Sequence, residues 1–158
     1  MSEIRKMLFV TKFEELGFDA LQSLLTLRQA DLEHVVFMNV IERDKVALHR
    51  GKGYQKGEEI RLREAANIRF IDWAETLFEE GMEVGVYIVV GTMASEVLKA
   101  AEKEGSDLIV IGRPHRRSGL EFLYSGSAVT ELLRRSSVPV LVYKGMADNH
   151  YLLDKPFT

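Results

Sequence analysis

The sequence Leu108-Ile109-Val110-Ile111-Gly112 decides the fold. Its four consecutive apolar residues predict a strand that is buried on both faces, as in a parallel sheet covered by helices. A polar segment follows, then a helix is predicted from about Gly126 to Arg135, and a final strand over residues 138–143, where Pro139 suits a strand start or an edge. A strand, a crossover helix and a second strand form the repeating unit of a parallel sheet.

The same alternation of strand and helix extends over the rest of the chain. Strands are predicted over residues 7–11, 34–40 and 84–90, and helices over residues 16–29, 58–80 and 93–104. Gly81 and Gly105 stand where the last two of these helices should end. Five apolar strands separated by helices predict an α/β fold of three layers, with a five-stranded parallel sheet between helices on both faces. Ligands of such sheets bind beyond the carboxyl ends of the strands, so function is expected in the loops after the first, second and fourth strands.

The long helix over residues 58–80 is expected to turn one apolar side toward the sheet. The residues predicted to form that side recur at helical spacing, and they are Ile60, Ala65, Ile68, Ile71, Trp73, Ala74, Leu77 and Phe78. The segment before the helix, residues 42–57, is polar and contains glycines at 51, 53 and 57. We predict a long mobile loop there, which could fold over a bound phosphate as a lid.

Length and composition limit the classes of function. The chain of 158 residues is of single-domain size, and its 46% of apolar residues can form a sizeable core. A net charge of −3 argues against a nucleic-acid binder, and no apolar run reaches the ~18 residues that span a bilayer. The absence of cysteine excludes thiolate catalysis and cysteine metal sites, and it fits the cytoplasmic location that we predict. The histidines show no metal-binding spacing.

A basic segment that contains glycines joins the fourth strand to the last helix. Its candidate anion-binding residues are Gly112, Arg113, His115, Arg116, Arg117, Gly119, Gly126 and Ser127. Glycine lets the backbone approach a ligand, the free N–H groups of a helix start point at anions, and arginine binds phosphate in a bidentate manner. The alternative is a solvated basic loop before a helix that is capped by Ser125 or Ser127. The position at the carboxyl end of a strand favours the phosphate-binding loop.

The closing part of the chain also carries a pattern of known type. Its pieces are the strand with its glycine at residues 109–112, the pair Gly126-Ser127, and the Val-Pro-Val-Leu-Val strand at residues 138–142. This arrangement resembles the universal stress protein family, which closes with an apolar strand, a glycine loop of pattern G-x2-G-x9-G-[ST], a helix and a Pro-Val-Leu-Val strand. The resemblance implies an adenine nucleotide alpha hydrolase-like fold with strand order 3-2-1-4-5. It also implies one domain over residues 1–145, followed by a tail or linker over residues 146–158.

The resemblance further implies a site for an adenine nucleotide, either AMP or ATP, with Mg²⁺ accompanying ATP. Gly112, Gly126, Ser127, Ala128 and Val129 would contact the ribose and the phosphates. Thr11 and Val40 would border the base, and Gly91 matches the end of the family's third strand.

Three features depart from the family's pattern, of which one is that the loop from Gly112 to Gly126 is one residue longer than the motif. The other two are substitutions. His115 stands in place of the second glycine, and Lys12 in place of the acidic residue after the first strand. Lysine cannot accept a hydrogen bond. Lys12 is therefore expected either to pair with Glu14 or Glu15 or to reach a phosphate.

The function that the resemblance implies is stress response or signalling through nucleotide binding and dimerisation. The homodimer would form through the last strand, Val138 to Tyr143, and an exposed apolar edge strand independently needs a partner or a cover. The alternative is a nucleotide-free dimeric module whose basic loop binds an acidic partner. An enzyme, at most a slow ATPase, ranks last, because Glu121 is the only acidic residue near the glycine loop that could hold a metal.

Overall fold

The computed structural model describes residues 4–11, 21–22, 32–43, 55–112 and 128–143. The strands in these ranges are β1 (Lys6–Val10), β2 (His34–Glu42), β3 (Glu83–Gly91), β4 (Leu108–Gly112) and β5 (Val140–Tyr143). The helices are α1 (Lys56–Glu79), α2 (Met93–Glu104) and α3, whose described part is residues 128–135. Leu21 and Gln22, which fall inside the first predicted helix, are helical.

The five strands form one parallel sheet in the order β3-β2-β1-β4-β5, which confirms the predicted fold class and strand order. β1 lies at the centre, where Val10 pairs with Met38 of β2 on one side and with Ile111 of β4 on the other. Both β1 and β4 are almost wholly buried. Their continuous apolar sequences are explained by burial on both faces of the sheet.

Helices cover the two faces of the sheet and divide the core in two. On one face, the ring of Phe70 from α1 stacks on Phe37 with 5.4 Å between centroids, and Trp73 meets Phe9 and Phe37 edge-on. On the other face, Val97 of α2 and Leu132 of α3 are fully buried in the second core cluster. The result is the predicted three-layer arrangement.

The buried side of α1 differs from the predicted one. Leu77 is fully buried, and Trp73 and Ala74 pack against the core, but five of the predicted core residues are exposed, namely Ile60, Ala65, Ile68, Ile71 and Phe78. Ala66 and Phe70 are buried instead. Apolar residues occur on two sides of this helix, so spacing alone does not identify the side that packs. The stacking of Phe70 on the sheet determines the orientation.

The helix ends agree with the predictions made from glycine. Gly105 follows α2 in the left-handed conformation, at φ +64°. Gly81 follows α1 at φ +88°, and the amide of Met82 donates to the carbonyl of Leu77 at 3.1 Å. These contacts satisfy carbonyl groups that a helix end leaves unpaired.

The last strand begins later than predicted. β5 starts at Val140 and not at Val138. Val138 takes part in a tight turn, because Ser136 Oγ donates to its carbonyl at 2.7 Å and accepts from its amide at 3.1 Å. Pro139 has no N–H to donate, and its carbonyl accepts from the amide of Ile109 at 3.0 Å, where pairing with β4 begins.

Several predictions fall outside the described residues. They are the rest of the first helix, most of the 42–57 loop, the basic loop after Gly112 and the tail after residue 145. β2 extends to Glu42, two residues beyond its predicted end. Within the described ranges, no helix is long and apolar enough to cross a membrane.

Candidate functional site

The carboxyl ends of β1 and β4 meet at the point where the strand order reverses. The chain runs from β1 outward to β2 and β3 on one side, and then to β4 and β5 on the other. Thr11 and Gly112 follow the paired residues Val10 and Ile111, so both lie at this edge. An open parallel sheet forms its ligand crevice at such a point, because the loops after the two strands diverge to opposite faces.

The end of β1 is attached to β2 by two hydrogen bonds. The amide of Thr11 donates to the carbonyl of Met38 at 3.0 Å, and Asn39 Nδ2 donates to the carbonyl of Thr11 at 2.8 Å. Thr11 and Asn39 are both buried. A buried carbonyl that loses such a partner costs about 1–3 kcal/mol, so Asn39 holds the backbone of Thr11 at the carboxyl edge of the sheet.

Sequence reasoning did not assign a role to Asn39, although a signal was present. The residue interrupts an otherwise apolar strand, Val35-Val36-Phe37-Met38-Asn39-Val40-Ile41. A buried polar side chain is retained where it has a hydrogen-bond partner. Its partner is the carbonyl of Thr11, 28 residues away in the chain.

Val40 and Gly91 lie further along the same edge. Val40 is buried in β2 and pairs with Val89, whereas Gly91 ends β3 opposite Glu42. A Cβ at Gly91 would lie 2.6 Å from Cγ of Glu96. The missing side chain of Gly91 therefore makes room for Glu96, and β2 separates Gly91 from β1.

The other predicted contacts divide into described and undescribed residues. Ala128 and Val129 begin the described part of α3, are half-buried, and pack against the core cluster that contains Val10 and Ile111. The described part of α3 thus lies on the same face of the sheet as α2. Eight predicted site residues lie outside the described ranges, namely Lys12, Arg113, His115, Arg116, Arg117, Gly119, Gly126 and Ser127.

An ion pair on α1 covers part of the edge strand β3 near its carboxyl end. Glu59 of α1 is buried and accepts from Arg63 Nε at 2.6 Å, while Arg63 Nη1 donates to the carbonyl of Ile88 at 2.8 Å. Arg63 thereby pairs a backbone oxygen of an edge strand, which limits association at that position. We assign this group a structural role.

Shifted pKa values occur away from the crevice. Burial and the neighbouring charge of Lys6 lower the pKa of His34, although the carboxylate of Glu83 at 3.2 Å raises it in part. This histidine lies in a depression at the amino ends of β1–β3, on the opposite edge of the sheet. Within the described ranges, no three His, Asp or Glu side chains come together as a metal site would require.

Comparison with known proteins identifies one family. The model of the universal stress protein family matches residues 3–144. The universal stress protein MJ0577 of Methanocaldococcus jannaschii is 30% identical over 154 residues, which cover 89% of this chain and 94% of that protein. The structure of MJ0577 superposes with a TM-score of 0.74 at 28% identity and covers 90% of this chain and 97% of the other.

Two more distant structures share the fold. One is a universal stress protein in complex with cAMP, at a TM-score of 0.57 and 16% identity, with coverage of 91% of this chain and 99% of that chain. The other is the universal stress protein from Archaeoglobus fulgidus in complex with dAMP, at a TM-score of 0.51 and 19% identity, with coverage of 91% and 100%. At these identities the likeness establishes the fold alone.

Proposed function

Because the chain belongs to the universal stress protein family, we propose that it binds an adenine nucleotide, AMP or ATP, at the carboxyl edge between β1 and β4. It would act in stress response or signalling through the occupancy of this site and through dimerisation. The complexes of two relatives with cAMP and dAMP support this class of ligand.

The observation that carries the proposal is the pairing of Thr11 with Asn39 at the crevice. The hydrogen bond fixes backbone groups at the switch point of the sheet, beside the buried Val40. An adenine base is flat and is recognised by backbone donors and acceptors that are held in place. The base would border Thr11 and Val40, and the phosphates would extend from Gly112 toward the start of α3.

The phosphate end of the proposed site rests on the sequence. Three arginines, Arg113, Arg116 and Arg117, stand between the two glycines Gly112 and Gly126. They supply positive charge and bidentate donors for phosphate oxygens. If ATP is the ligand, Mg²⁺ would accompany it, coordinated by the phosphate oxygens.

The dimer would form through β5. β5 is an edge strand of the described sheet, and its Leu141 is exposed. An apolar edge strand that pairs with the same strand of a second copy loses its unpaired backbone groups. We expect Leu141→Lys to halve the native mass, measured by light scattering after size-exclusion chromatography. An unchanged mass would argue against β5 as the interface.

A second candidate function is a nucleotide-free interaction module. It is favoured by two departures from the family's pattern, since His115 stands in place of a glycine of the glycine motif and Lys12 in place of the acidic residue after the first strand. The three arginines would then bind an acidic protein partner. Both functions use the same loop, so removing its arginine charges would impair either one. A direct measurement of nucleotide binding tells the two functions apart.

Equilibrium dialysis tests the first function. We expect ATP or AMP to bind at millimolar concentration or below, with GTP as the control nucleotide. Changing Arg113, Arg116 and Arg117 together to alanine should weaken binding at least about tenfold. The matched control changes Arg5, Arg69 and Arg134 to alanine, three exposed arginines outside the site, and should leave binding unchanged. No binding by the unaltered protein at millimolar nucleotide would overturn the proposal. If the unaltered protein binds no nucleotide and the triple alanine variant loses binding to an acidic protein partner, the interaction module is favoured.

A further inference from the structure

One side of α1 carries large apolar residues that face away from the core. Phe78 is 73% exposed, Ile68 64%, Ile60 46% and Ile71 45%. We call these four residues the outer stripe. Ile60, Ile71 and Phe78 are separated by 11 and 7 residues, close to whole numbers of helical turns, so they align along the helix, and Ile68 lies beside them. Large exposed apolar residues aligned along one side of a helix are typical of an interaction site.

The outer stripe is not a surplus part of the core. The opposite side of α1 is filled by Ala66, Phe70 and Leu77, which are buried. Rotating the helix to bury the outer stripe would expose Phe70 and break its stack on Phe37. The four residues are therefore left uncovered by the described core and are available to a partner.

We propose that the outer stripe is an interface through which α1 pairs antiparallel with α1 of a second copy of this chain. The stripe is symmetric along the helix to within about one residue. Ile60 lies nine positions before Arg69 and Phe78 nine positions after it, whereas Ile68 lies one position before it and Ile71 two positions after it. An antiparallel pair would place Ile60 against the partner's Phe78, and Ile68 against the partner's Ile71. Such an interface has the self-complementarity that a two-fold axis requires.

The charges at the two ends of α1 also favour an antiparallel pair. The last turn has no basic residue, and Glu79 and Glu80 stand at the negative end of the helix dipole. The first two turns carry Lys56 and Arg61, whose side chains are 71% and 65% exposed. The pair of Arg61 with Glu58 lies at the surface, where such pairs are weak, and Lys56 lies 3.7 Å from the buried Glu59, which also accepts from Arg63. A partner in the opposite direction brings these cations and the positive helix end to the acidic end.

The length of α1 suits a stable interface. Its 24 residues extend over about 36 Å at 1.5 Å per residue. Paired helices of this length are compatible with the ~800 Å² per partner of a standard interface. α1 contacts β2 and β3, whereas β5 lies at the other edge of the sheet. The interface is therefore separate from the β5 dimer proposed above, and a protein that forms both interfaces would be a tetramer that loses half its mass when either interface is broken.

Measurement of native mass tests the interface. We expect the double variant Ile68→Lys, Phe78→Lys to have half the native mass of the unaltered protein at the same concentration, because both positions would become charged and buried. Leu133→Lys, on α3, is the matched control, since Leu133 is also an exposed apolar helix residue, and it should keep the original mass. A double variant with unchanged mass would overturn the proposal, whether the stripe stays bare or is covered by another segment of the same chain.

Cross-linking tests the antiparallel direction. The chain has no cysteine, so single cysteines can be introduced at will. A mixture of Ile60→Cys and Phe78→Cys proteins should form a disulfide-linked dimer on mild oxidation, and neither variant alone should do so. Cross-linking of Ile60→Cys with itself would indicate parallel helices, and no cross-linking in the mixture would exclude the pair; both overturn the proposal.

Two further readouts complete the test. The antiparallel pair brings Glu64 near the partner's Glu75, so we expect Glu75→Gln to lower the dissociation constant of the pair by relieving like-charge repulsion. A higher dissociation constant would contradict the alignment.

The double lysine variant should bind nucleotide within about twofold of the unaltered protein, because α1's outer stripe lies outside the crevice. If the unaltered protein binds no nucleotide but the mass still halves, the proposed function fails and this interface stands.

Discussion

Asn39 Nδ2 donates a hydrogen bond of 2.8 Å to the carbonyl of Thr11, and this bond joins two neighbouring strands at the carboxyl edge of the sheet. The register of β1 against β2 ends at Val10 and Met38. Beyond it, the Asn39 side chain and the amide of Thr11 continue the attachment. The mouth of the proposed nucleotide site is therefore shaped by a side chain as well as by the backbone ladder.

Changing Asn39 to aspartate should destabilise the protein and weaken nucleotide binding. The carboxylate replaces a donor by an acceptor that faces the carbonyl of Thr11, so a buried charge is left without its hydrogen bond. We expect a loss of at least about 1–3 kcal/mol in the free energy of unfolding, measured by urea denaturation, and a rise in the dissociation constant measured by dialysis.

The control for this prediction is Asn67→Asp. Asn67 is an exposed amide on α1, and its change should shift stability by no more than about 0.5 kcal/mol. Equal effects of the two variants would show that the Asn39 contact has no special role. Retained affinity in a folded Asn39→Asp protein would place the base elsewhere.

Changing Gly91 to alanine should lower stability through Glu96. The new Cβ would lie 2.6 Å from Cγ of Glu96 and 2.8 Å from its Oε2, so that side chain must move. Overpacking of this kind costs about 1–3 kcal/mol, and we expect the lower end because Glu96 is flexible. In a Glu96→Ala background the loss should disappear.

Gly85→Ala is the matched control for Gly91→Ala in the same strand. Its Cβ would meet Val36 Cγ2 at 3.4 Å, which is close to ordinary contact. Thermal unfolding should therefore separate the two variants. If the Gly91→Ala loss persists without the Glu96 side chain, backbone conformation and not crowding is its cause.

His34 should make stability depend on pH in the acidic range. Burial and Lys6 hold its pKa below the ordinary value of 6.5, against a partial rise from Glu83. The unfolded chain thus binds a proton at a pH at which the folded chain does not, so the free energy of unfolding falls as the pH is lowered through about 6.5. His34→Gln should flatten the dependence, and Glu83→Gln should steepen it.

Urea denaturation over a pH series measures this effect, and NMR titration of His34 measures its pKa directly. A titration midpoint above 6.5 would reverse the sign of the prediction. A pH dependence that is the same in the unaltered protein and in His34→Gln would assign the effect to another group.

Sequence patterns predicted the sheet better than the helix surfaces. Buried parallel strands are apolar along their whole length, so the apolar run at residues 108–111 is enough to predict β4, and the neighbouring strands need not be known. The contact of Asn39 with Thr11 joins positions that are distant in the chain, and no local pattern contains it. The start of β5 depends on the Ser136 turn and on the pairing of Pro139 with Ile109, which likewise needs the assembled sheet.

The positions of the candidate site residues could be predicted in part for the same reason. Thr11 and Gly112 lie at strand ends, which the apolar runs define, whereas their role in binding stays a prediction. For α1, local spacing offered two apolar sides, and the aromatic rings of β1 and β2 decide between them. When a helix has apolar residues on two sides, their spacing does not show which side packs against the core of its own chain.

Phe70 and Phe78 lie on the same helix and provide the sharpest test of that distinction. Phe70 is 0% exposed and stacks on Phe37, whereas Phe78 is 73% exposed. We expect Phe70→Ala to cost about 3–5 kcal/mol in the free energy of unfolding, through lost burial and a cavity. Phe78→Ala should change it by no more than about 0.5 kcal/mol at micromolar protein. At higher concentration, only Phe78→Ala should reduce self-association without unfolding the chain. Similar losses of stability in the two variants, measured by urea denaturation in dilute solution, would show that α1 packs through Phe78 as well, and would restore the orientation that the sequence first indicated.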